Sequence, residues 1–411
     1  MSVRTDLLDA YRAGVAAVDG RRAVAEHLAG RPLEASAVSV VALGKAAAGM
    51  LQGALDALGP RLERALAVTR VGYAGEIPSD HRIQLLESAH PLPDGRSIDA
   101  GWAVLRFLEA MPPRQPLLVL ISGGTSSLVE VPVPGVDAET LAEVNRRLLA
   151  EGYDIATINS VRKALSRIKG GRLARWTRGR PTRVLAISDV PDNDPATIGS
   201  GLLSPDTGRR PLPAGLRPLL TRFEAAIEPA PAPGDPVFVR IETVIVADNA
   251  RARQAAADCL RGRGYEVELP EVFLDGDVEL AAQAVAQRLG GLSDGKAVIW
   301  GGEPTVRLPE HPGRGGRMQA LAAGVAWRLR AVDGWALCAA GTDGSDGSTE
   351  HAGALVDGGT AQRAKPHALD ACCAAADAAR CLEQAGDVVD TGPTGTNVMD
   401  LVIGRAAAAG G

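Results

Sequence analysis

The stretch from Lys296 to Gln319, KAVIWGGEPTVRLPEHPGRGGRMQ, joins a predicted strand to a predicted helix through two glycine-rich turns. The apolar run ends at GGE (301–303), a β-rich piece follows over 305–308, and GRGGR (313–317) opens a helical pattern. Glycines let a backbone approach a ligand closely, and a helix start presents free N–H groups and a positive dipole end. The stretch is therefore typical of an anion-binding site, although a plain turn is the alternative for any single loop.

Four further segments carry glycines, and most of them hydroxyls, beside a predicted strand. They are GK (44–45), SGGTSS (122–127), GTDGSDG (341–347) and TGPTGTN (391–397). Open α/β sheets bind their ligands at the carboxyl ends of strands. The recurrence of this pattern favours a ligand-binding edge over a set of unrelated turns.

Composition narrows the class of protein. The chain has 411 residues, of which 46% are hydrophobic, so it can fill the cores of two domains. A net charge of −5 with dispersed basic residues argues against nucleic-acid or membrane partners and leaves a homodimer open. The sequence contains neither a signal-peptide core nor an apolar run of bilayer length, which predicts a cytoplasmic protein.

Five cysteines without metal-ligand spacing predict reduced thiols, with Cys372 and Cys373 packing a helix.

Strands and helices alternate along the chain, which predicts an α/β fold with parallel sheet and helices on both faces. We expect an N-terminal, Rossmann-like, doubly wound domain over 1–228, a linker over 229–236 and a C-terminal α/β domain with a mixed sheet over 237–411. The linker is predicted from EPAPAPGDP, which favours an extended path. A helix over 5–29 is expected on the outside of the first domain, and strand 237–246 is expected to open the second.

Two common nucleotide motifs are absent. GGLSDGK (290–296) has Walker-A spacing, but Ala297 follows the lysine and the segment precedes a strand. Gly44 and Gly49 lack the middle glycine of a dinucleotide fingerprint. Lysine is scarce, and the three lysines of the first half, Lys45, Lys163 and Lys169, are candidates for a compact charge near phosphate.

Eight motifs follow in one order from Ala42 to Leu401: ALGKAAAGM, LISGGTSSL, NSVRKALSRIKGGRLA, SDVPDNDPATIGSG, GGEPTVRL, GRGGR, AAGTDGSDGSTEHAGALVD and TGPTGTNVMDL. This series resembles class II glycerate kinases, the glycerate 2-kinase or MOFRL family once named hydroxypyruvate reductases. The resemblance implies two α/β domains with an active site in the cleft between them. It also implies ATP- and Mg²⁺-dependent phosphorylation of the 2-hydroxyl of D-glycerate.

Phosphoryl transfer requires cations that neutralise spreading charge and Mg²⁺ held through one or two carboxylates. We expect Lys45, Arg317 and Asp189 to be catalytic, and the candidate metal ligands are Asp189, Asp194, Asp343 and Asp346. Turn capping is the alternative for each of these carboxylates. His351 could accept a proton, but a lone histidine is more often structural. The candidate phosphate- or substrate-binding residues are Ser122, Gly123, Gly124, Thr125, Ser126, Gly302, Glu303, Gly315, Gly316, Thr394 and Asn397.

Several positions depart from the family pattern. In three motifs this chain differs from the family: it has GGRMQA where GGRNQE is usual, TNVMD in place of TNVND, and SDVPDND in place of SDVPGDD. In addition, Ala164 replaces a histidine, and residues 202–204 lack the usual glycine-proline-threonine. The loss of polar groups at Met318 and Ala320 predicts a 2-hydroxy acid that need not be D-glycerate, unless these residues only pack their helix. The alternative functions are an NAD(P)H-dependent hydroxypyruvate reductase and a catalytically weakened sugar-acid binder.

Overall fold

The computed structural model describes residues 2–75, 77, 80–151, 153, 155–206, 215, 220–365 and 368–406. The chain forms two compact units: Gly20–Val246 is the first, and Met1–Asp19 with Ala247–Gly411 is the second. Among the described helices, none is long and apolar enough to cross a membrane.

The N-terminal segment contains two helices, α1 (Val3–Ala17) and α2 (Gly20–Gly30). The prediction of one helix on the first domain is therefore wrong, because α1 belongs to the second unit. Tyr11 of α1 is fully buried there and donates a hydrogen bond to the carbonyl of Gly341 at 2.7 Å. The helix ends where the Val18 carbonyl accepts a hydrogen bond from Thr396 Oγ1 at 2.6 Å.

The first unit is built on a six-stranded sheet of order β3-β2-β1-β4-β5-β6. Its strands are β1 (Val38–Leu43), β2 (Leu62–Arg70), β3 (Ile83–Ser88), β4 (Leu117–Ile121), β5 (Thr182–Ile187) and β6 (Ile241–Ala247). The pairs β1–β2, β2–β3, β1–β4 and β4–β5 are parallel. Every residue of β1 and β4 is buried, as expected for central strands covered on both faces. The predicted doubly wound, Rossmann-like order is confirmed.

Five further α-helices in the described part of the first unit connect these strands. They are α3 (Ala47–Leu58), α4 (Gly95–Glu109), α5 (Thr125–Leu128), α6 (Ala138–Ala150) and α7 (Ile155–Ala164). The core lies between the apolar strands and helix faces, for example where Val104 and Leu108 of α4 are buried with Val119 of β4. This burial supplies most of the driving force for the sheet to form.

The second unit is built on a mixed sheet of order β11-β10-β9-β12-β8-β7. Its strands are β7 (Glu266–Glu268), β8 (Lys296–Gly302), β9 (Trp335–Gly341), β10 (Gly353–Asp357), β11 (Val388–Val389) and β12 (Asp400–Ala406). Only the β7–β8 pair is parallel among the described pairings. Its other helices are α8 (Asn249–Arg261), α9 (Val278–Gly290), α10 (Arg317–Arg328), α11 (Thr360–Arg363), α12 (Leu369–Ala374) and α13 (Ala378–Ala385).

The division between the units lies later than the predicted linker at 229–236. Strand β6 adds to the edge of the first sheet beside β5, so residues 237–246 do not open the second unit. The amide of Thr182 donates to the carbonyl of Arg240 at 2.9 Å, which ties this segment to β5. A proline- and glycine-rich segment is thus followed by one more strand of the same sheet.

Two local predictions are wrong. Cys372 and Cys381 form a disulfide between α12 and α13, so not all cysteines are free thiols. Sequence spacing could not predict this pair, because a hairpin of two short helices brings the two residues together. The expected β-rich piece over 305–308 is reduced to one isolated bridge, between Asp277 and Thr305.

Candidate functional site

Three polar segments meet at one edge of the first sheet. Lys45 follows β1, the Ser122–Thr125 turn follows β4, and Asp189 follows β5. These strands are adjacent and parallel, so their carboxyl ends share an edge. The order of the sheet reverses between β1 and β4, and open α/β sheets bind ligands at such a switch point.

The turns after β1 and β4 are locked together by a close approach of backbone. Gly44 has a φ of +116°, and a Cβ there would lie 2.2 Å from Ser122 Oγ. Ser122 is fully buried, and its Oγ accepts a hydrogen bond from the Ala46 amide at 3.0 Å. The Lys45 amide donates to the Gly123 carbonyl at 2.9 Å. Ser122 thus holds the turn that positions Lys45.

Asp189 lies beside the lysine at this edge. Burial raises the pKa of Asp189, and the positive charge of Lys45 and hydrogen bonds from its own amide and that of Gly124 oppose the rise. A carboxylate of this kind is a stronger base than one in water. The structure therefore brings together a base, a cation and a glycine amide.

The hydroxyls of the Ser122–Ser127 turn have partners within the protein. Thr125 is buried, and its Oγ1 donates to the Ser122 carbonyl at 2.7 Å. Ser126 Oγ lies 2.7 Å from Ser200 Oγ and is partly exposed. These hydroxyls stabilise the turn, and Gly123 and Gly124 present backbone at the sheet edge.

The other candidates of the first unit have structural partners. Asp194 caps a turn, since its carboxylate accepts from the Ala196 amide at 3.0 Å and from Thr197 Oγ1 at 3.1 Å. Lys163 pairs with Asp206 at 2.9 Å. Lys169 is buried in an ion pair with Glu130, and burial lowers the pKa of this lysine.

Arg317 is the first residue of α10 in the second unit. Its Nε and Nη2 bind Asp400 at 2.5 and 3.0 Å, and its Nη1 lies 3.1 Å from Glu303. Burial opposes the charged form, but the Asp400 and Glu303 carboxylates outweigh it and raise the pKa of Arg317. The guanidinium is held in one orientation at the start of the helix.

Asp346 caps the same helix. Its carboxylate accepts hydrogen bonds from the amides of Met318 at 3.1 Å and Gln319 at 2.8 Å. Gly316 leaves the room for this contact, because a Cβ there would lie 2.2 Å from Asp346 Oδ1. Burial, together with the nearby Asp400, raises the pKa of Asp346 to about 7. Its position is that of an N-terminal helix cap.

Asp343 and Thr394 meet in the turn after β9. Asp343 Oδ1 accepts from the amide and hydroxyl of Ser345 at 3.0 and 3.2 Å. Thr394 donates from Oγ1 to the Thr342 carbonyl at 2.5 Å and from its amide to the Asp343 carbonyl at 3.4 Å. Asn397 is half-buried in the same loop, three residues before β12.

The glycines near the start of α10 make close contacts and hydrogen bonds within the protein. A Cβ on Gly302 would lie 2.1 Å from the Leu274 carbonyl. Gly315 exchanges hydrogen bonds with Ser348, whose amide donates to the Gly315 carbonyl at 3.2 Å. His351 lies in an ion-pair cluster, with Nδ1 at 2.5 Å from Asp390 and Nε2 at 3.1 Å from Glu383, which also pairs with Arg314.

Sequence reasoning missed Asp400 and Asn249. Asp400 is buried and fixes Arg317. Asn249 is also buried, and its side chain donates to the carbonyls of Val398 and Asp400 at 2.8 and 3.1 Å. Asp400 lies in the TNVMDL motif, so its acidic side chain beside a glycine-rich loop was an available signal. In the described part of the chain, no three His, Cys, Asp or Glu side chains form a metal-binding group.

These observations define a two-unit α/β protein with a charged, glycine-lined switch point. Residues 6–213 match the domain of unknown function DUF4147, and residues 296–400 match the MOFRL family. The D-glycerate 2-kinase of Thermotoga maritima is 33% identical over 98% of both chains. The crystal structure of a glycerate kinase from that organism matches with a TM-score of 0.82, 31% identity, and coverage of 99% of this chain and 100% of the other.

The chain belongs to the glycerate 2-kinase family, with its DUF4147 and MOFRL regions. A relative from Agrobacterium vitis, 35% identical over 98% of this chain and 94% of its own, carries only the provisional name hydroxypyruvate reductase.

Proposed function

We propose that this protein transfers the γ-phosphoryl group of ATP to the 2-hydroxyl of D-glycerate. The observation that carries the proposal is the meeting of Lys45, Asp189 and the Gly124 amide at the switch point of the first sheet. Family membership gives the reaction class, and this edge supplies the groups that the reaction requires. Phosphoryl transfer depends mainly on positioning and on electrostatic stabilisation.

Lys45 and Asp189 take complementary roles in this proposal. The Lys45 ammonium neutralises charge that spreads over the transferred phosphoryl group. Asp189 accepts the proton of the attacking 2-hydroxyl, for which its raised pKa suits it. The Gly124 amide favours the charged form of Asp189, since it opposes the rise in the pKa of this carboxylate.

Arg317 is proposed as the second cation. Its side chain is 33% exposed, and Asp400 and Glu303 hold its fork in place. A guanidinium fixed before the ligand arrives loses little side-chain entropy on binding. Its planar donors suit either a phosphate or the substrate carboxylate.

Mg²⁺ would neutralise charge on the β- and γ-phosphates when it is bound. Of the four candidate carboxylates, we propose Asp343 as a protein ligand, directly or through water, while Asp189 keeps the role of base. Asp346 and Asp194 fit this role poorly, because both oxygens of each carboxylate already accept hydrogen bonds from helix or turn donors. One or two carboxylates would be sufficient if phosphate oxygens and water supplied the other ligands.

D-glycerate is the acceptor that we propose, because most of the substituted family positions lie in the protein interior, with Asp192 exposed and Ala320 partly buried. Met318 is fully buried in the hydrophobic core of the second unit, and Ala320 packs against that core. Ala164, Leu202 and Leu203 are buried in the first unit. Buried side chains of this kind pack the fold, so these substitutions give no reason to expect a longer acid.

An ADP-release assay tests the proposal directly. D-glycerate, L-glycerate and longer aldonic acids are compared with and without Mg²⁺, and hydroxypyruvate is tested in parallel with NADH and NADPH at 340 nm. We expect ADP release that requires D-glycerate and Mg²⁺, with a changed metal dependence in Asp343→Asn and a loss of turnover in Asp189→Asn. Oxidation of the reduced nicotinamide without ADP release would support the reductase, and binding of the acid with neither reaction would support the weakened binder.

A further inference from the structure

A pocket lies in the second unit between α1 and the loop 390–394. Its volume is about 410 Å³, and small-molecule sites span roughly 300–1,000 Å³. The lining residues are Tyr11, Arg12, Val15, Ala16, Asp19, Asp390, Thr391 and Thr394. We propose that this pocket holds the nucleoside part of the nucleotide, an inference that rests on the proposed kinase function.

The chemistry of the lining fits a neutral ligand rich in hydrogen-bond donors. Val15 and Ala16 offer apolar surface for a base. The carboxylates of Asp19 and Asp390 can accept from ribose hydroxyls and amino groups, since a carboxylate offers about four acceptor positions. Arg12 is the one basic residue against these two acidic ones in the lining. A single arginine beside two carboxylates, one of which pairs with His351, gives little attraction for an acid such as glycerate or for a polyphosphate.

The pocket is continuous with the residues proposed for the phosphate end. Thr394 lines the pocket and also bonds the backbone of Thr342 and Asp343. Burial and the nearby carboxylates of Asp343 and Asp400 raise the pKa of Tyr11. Asp400 in turn binds Arg317. A nucleoside in the pocket would therefore direct its phosphates toward Asp343 and Arg317.

The walls of the pocket are fixed without a ligand. Tyr11 bonds the Gly341 carbonyl at 2.7 Å, and Thr396 bonds the Val18 carbonyl at 2.6 Å. These contacts attach α1 to the turn after β9 and to the loop before β12. A preformed site loses little conformational entropy when the ligand binds. This explains why an N-terminal helix is packed into the C-terminal unit.

The test fills the pocket and measures each ligand separately. Ala16 is exposed on α1, so Ala16→Trp adds bulk to the pocket without disturbing the core. Thr5→Trp places the same side chain at another exposed position of α1, outside the lining, and serves as the control. Val15→Trp is a second filling variant. Calorimetry follows the binding of ATP, adenosine and inorganic tripolyphosphate, and steady-state kinetics give KM for ATP and for D-glycerate.

We expect Ala16→Trp to weaken ATP and adenosine binding by about tenfold or more, with tripolyphosphate binding and the KM for D-glycerate unchanged. Thr5→Trp should match the wild type. If the wild type phosphorylates D-glycerate but both filling variants keep its ATP affinity, the inference fails and the kinase function stands. A selective rise in the KM for D-glycerate would assign the pocket to the acid and overturn the inference. A wild type that binds no nucleotide overturns both proposals.

Discussion

Lys45 occupies the position at which a single side chain has the largest expected effect on catalysis. It follows β1, a central strand of the first sheet. Gly44 and Ser122 fix its backbone, because their close contact leaves no room for a Cβ at residue 44. The charge of Lys45 acts on Asp189, so the two side chains belong to one electrostatic unit. Removing the charge should damage catalysis more than folding.

We predict that Lys45→Ala lowers kcat/KM for phosphoryl transfer by about 10²–10⁴-fold with little change in melting temperature. Lys296→Ala is the matched control, because Lys296 is a partly exposed lysine paired with Glu266 at 3.0 Å. Steady-state ADP release and thermal melting of both variants measure the effect. Equal activity in Lys45→Ala and Lys296→Ala would remove Lys45 from the mechanism.

Met399 carries backbone strain at the end of the glycine-rich loop. Its φ is +67°, and its carbonyl accepts from the Thr342 amide and hydroxyl at 3.1 and 2.6 Å. Side chains with a Cβ pay about 1 kcal/mol in this left-handed conformation. Asparagine tolerates it better, which explains the TNVND pattern of the family on backbone grounds.

Because of this strain, we predict that glycine is more stable than alanine at residue 399, which reverses the usual order. Met399→Gly should be more stable than Met399→Ala by about 1 kcal/mol, since both lose the same buried side chain and only glycine relieves the backbone. Met318 lies in α10 and is the control, where alanine should exceed glycine by about 1 kcal/mol. Urea unfolding of the four variants decides the point. The same order at both positions would exclude strain at Met399.

At the scale of elements, the start of α10 is held from two sides. Asp346 bonds its first amides, and the α12–α13 hairpin fixes the preceding loop. The Arg314 amide donates to Asp377 at 2.9 Å, and the Ala379 amide donates to the Arg314 carbonyl at 3.1 Å. The disulfide closes that same hairpin. The orientation of Arg317 therefore depends on elements distant in sequence.

Asp346 should make stability depend on pH. Its folded pKa of about 7 lies above the ordinary 3.8, so its contribution to stability is full below pH 3.8 and is lost as the pH rises to about 7. Relative to Asp346→Asn, the wild type should lose up to about 1.4 kcal/mol per pH unit across this window. Urea unfolding at several pH values measures the difference between the two proteins. A constant difference would contradict the raised pKa.

The disulfide gives a second prediction at this scale. Closing a loop with a sequence separation of 9 contributes about 2–3 kcal/mol. Cys372→Ser, or reduction of the wild type, should lower the melting temperature, and reduction should then have no further effect on the variant. Cys259→Ser serves as the control because Cys259 is a free thiol. Five titratable thiols in the unfolded, unreduced protein would rule out the bond.

For the whole molecule, the predictable features are those that depend on local periodicity. Alternating strands and helices gave the Rossmann-like order, and turns at strand ends pointed to Lys45 and Asp189. Long-range packing determines the features of the fold that the sequence did not predict. No local pattern reveals that α1 packs in the C-terminal unit, that β6 follows a proline-rich segment within the first unit, or that Cys372 meets Cys381.

The same limit applies to the site. Acidic residues beside glycines were all candidate metal ligands, but Asp194 and Asp346 accept capping hydrogen bonds on both carboxylate oxygens, whereas both bonds from Ser345 reach Oδ1 of Asp343. Met318 was a candidate for the substrate wall until its complete burial placed it in the core. The motif that contains Asp400 was visible in the sequence, but its contact with Arg317, 83 residues away in sequence, is seen only in the fold.

The measurement that tests the central proposal most directly is ³¹P NMR of the product formed from D-glycerate, ATP and Mg²⁺. Transfer to the 2-hydroxyl predicts a phosphomonoester whose phosphorus couples to the single proton on carbon 2, formed with equimolar ADP and lost in Lys45→Ala. A product phosphorylated on the terminal hydroxyl would contradict the positioning proposed here. Hydroxypyruvate-dependent oxidation of NADH or NADPH with no phosphoester formed would contradict phosphoryl transfer itself.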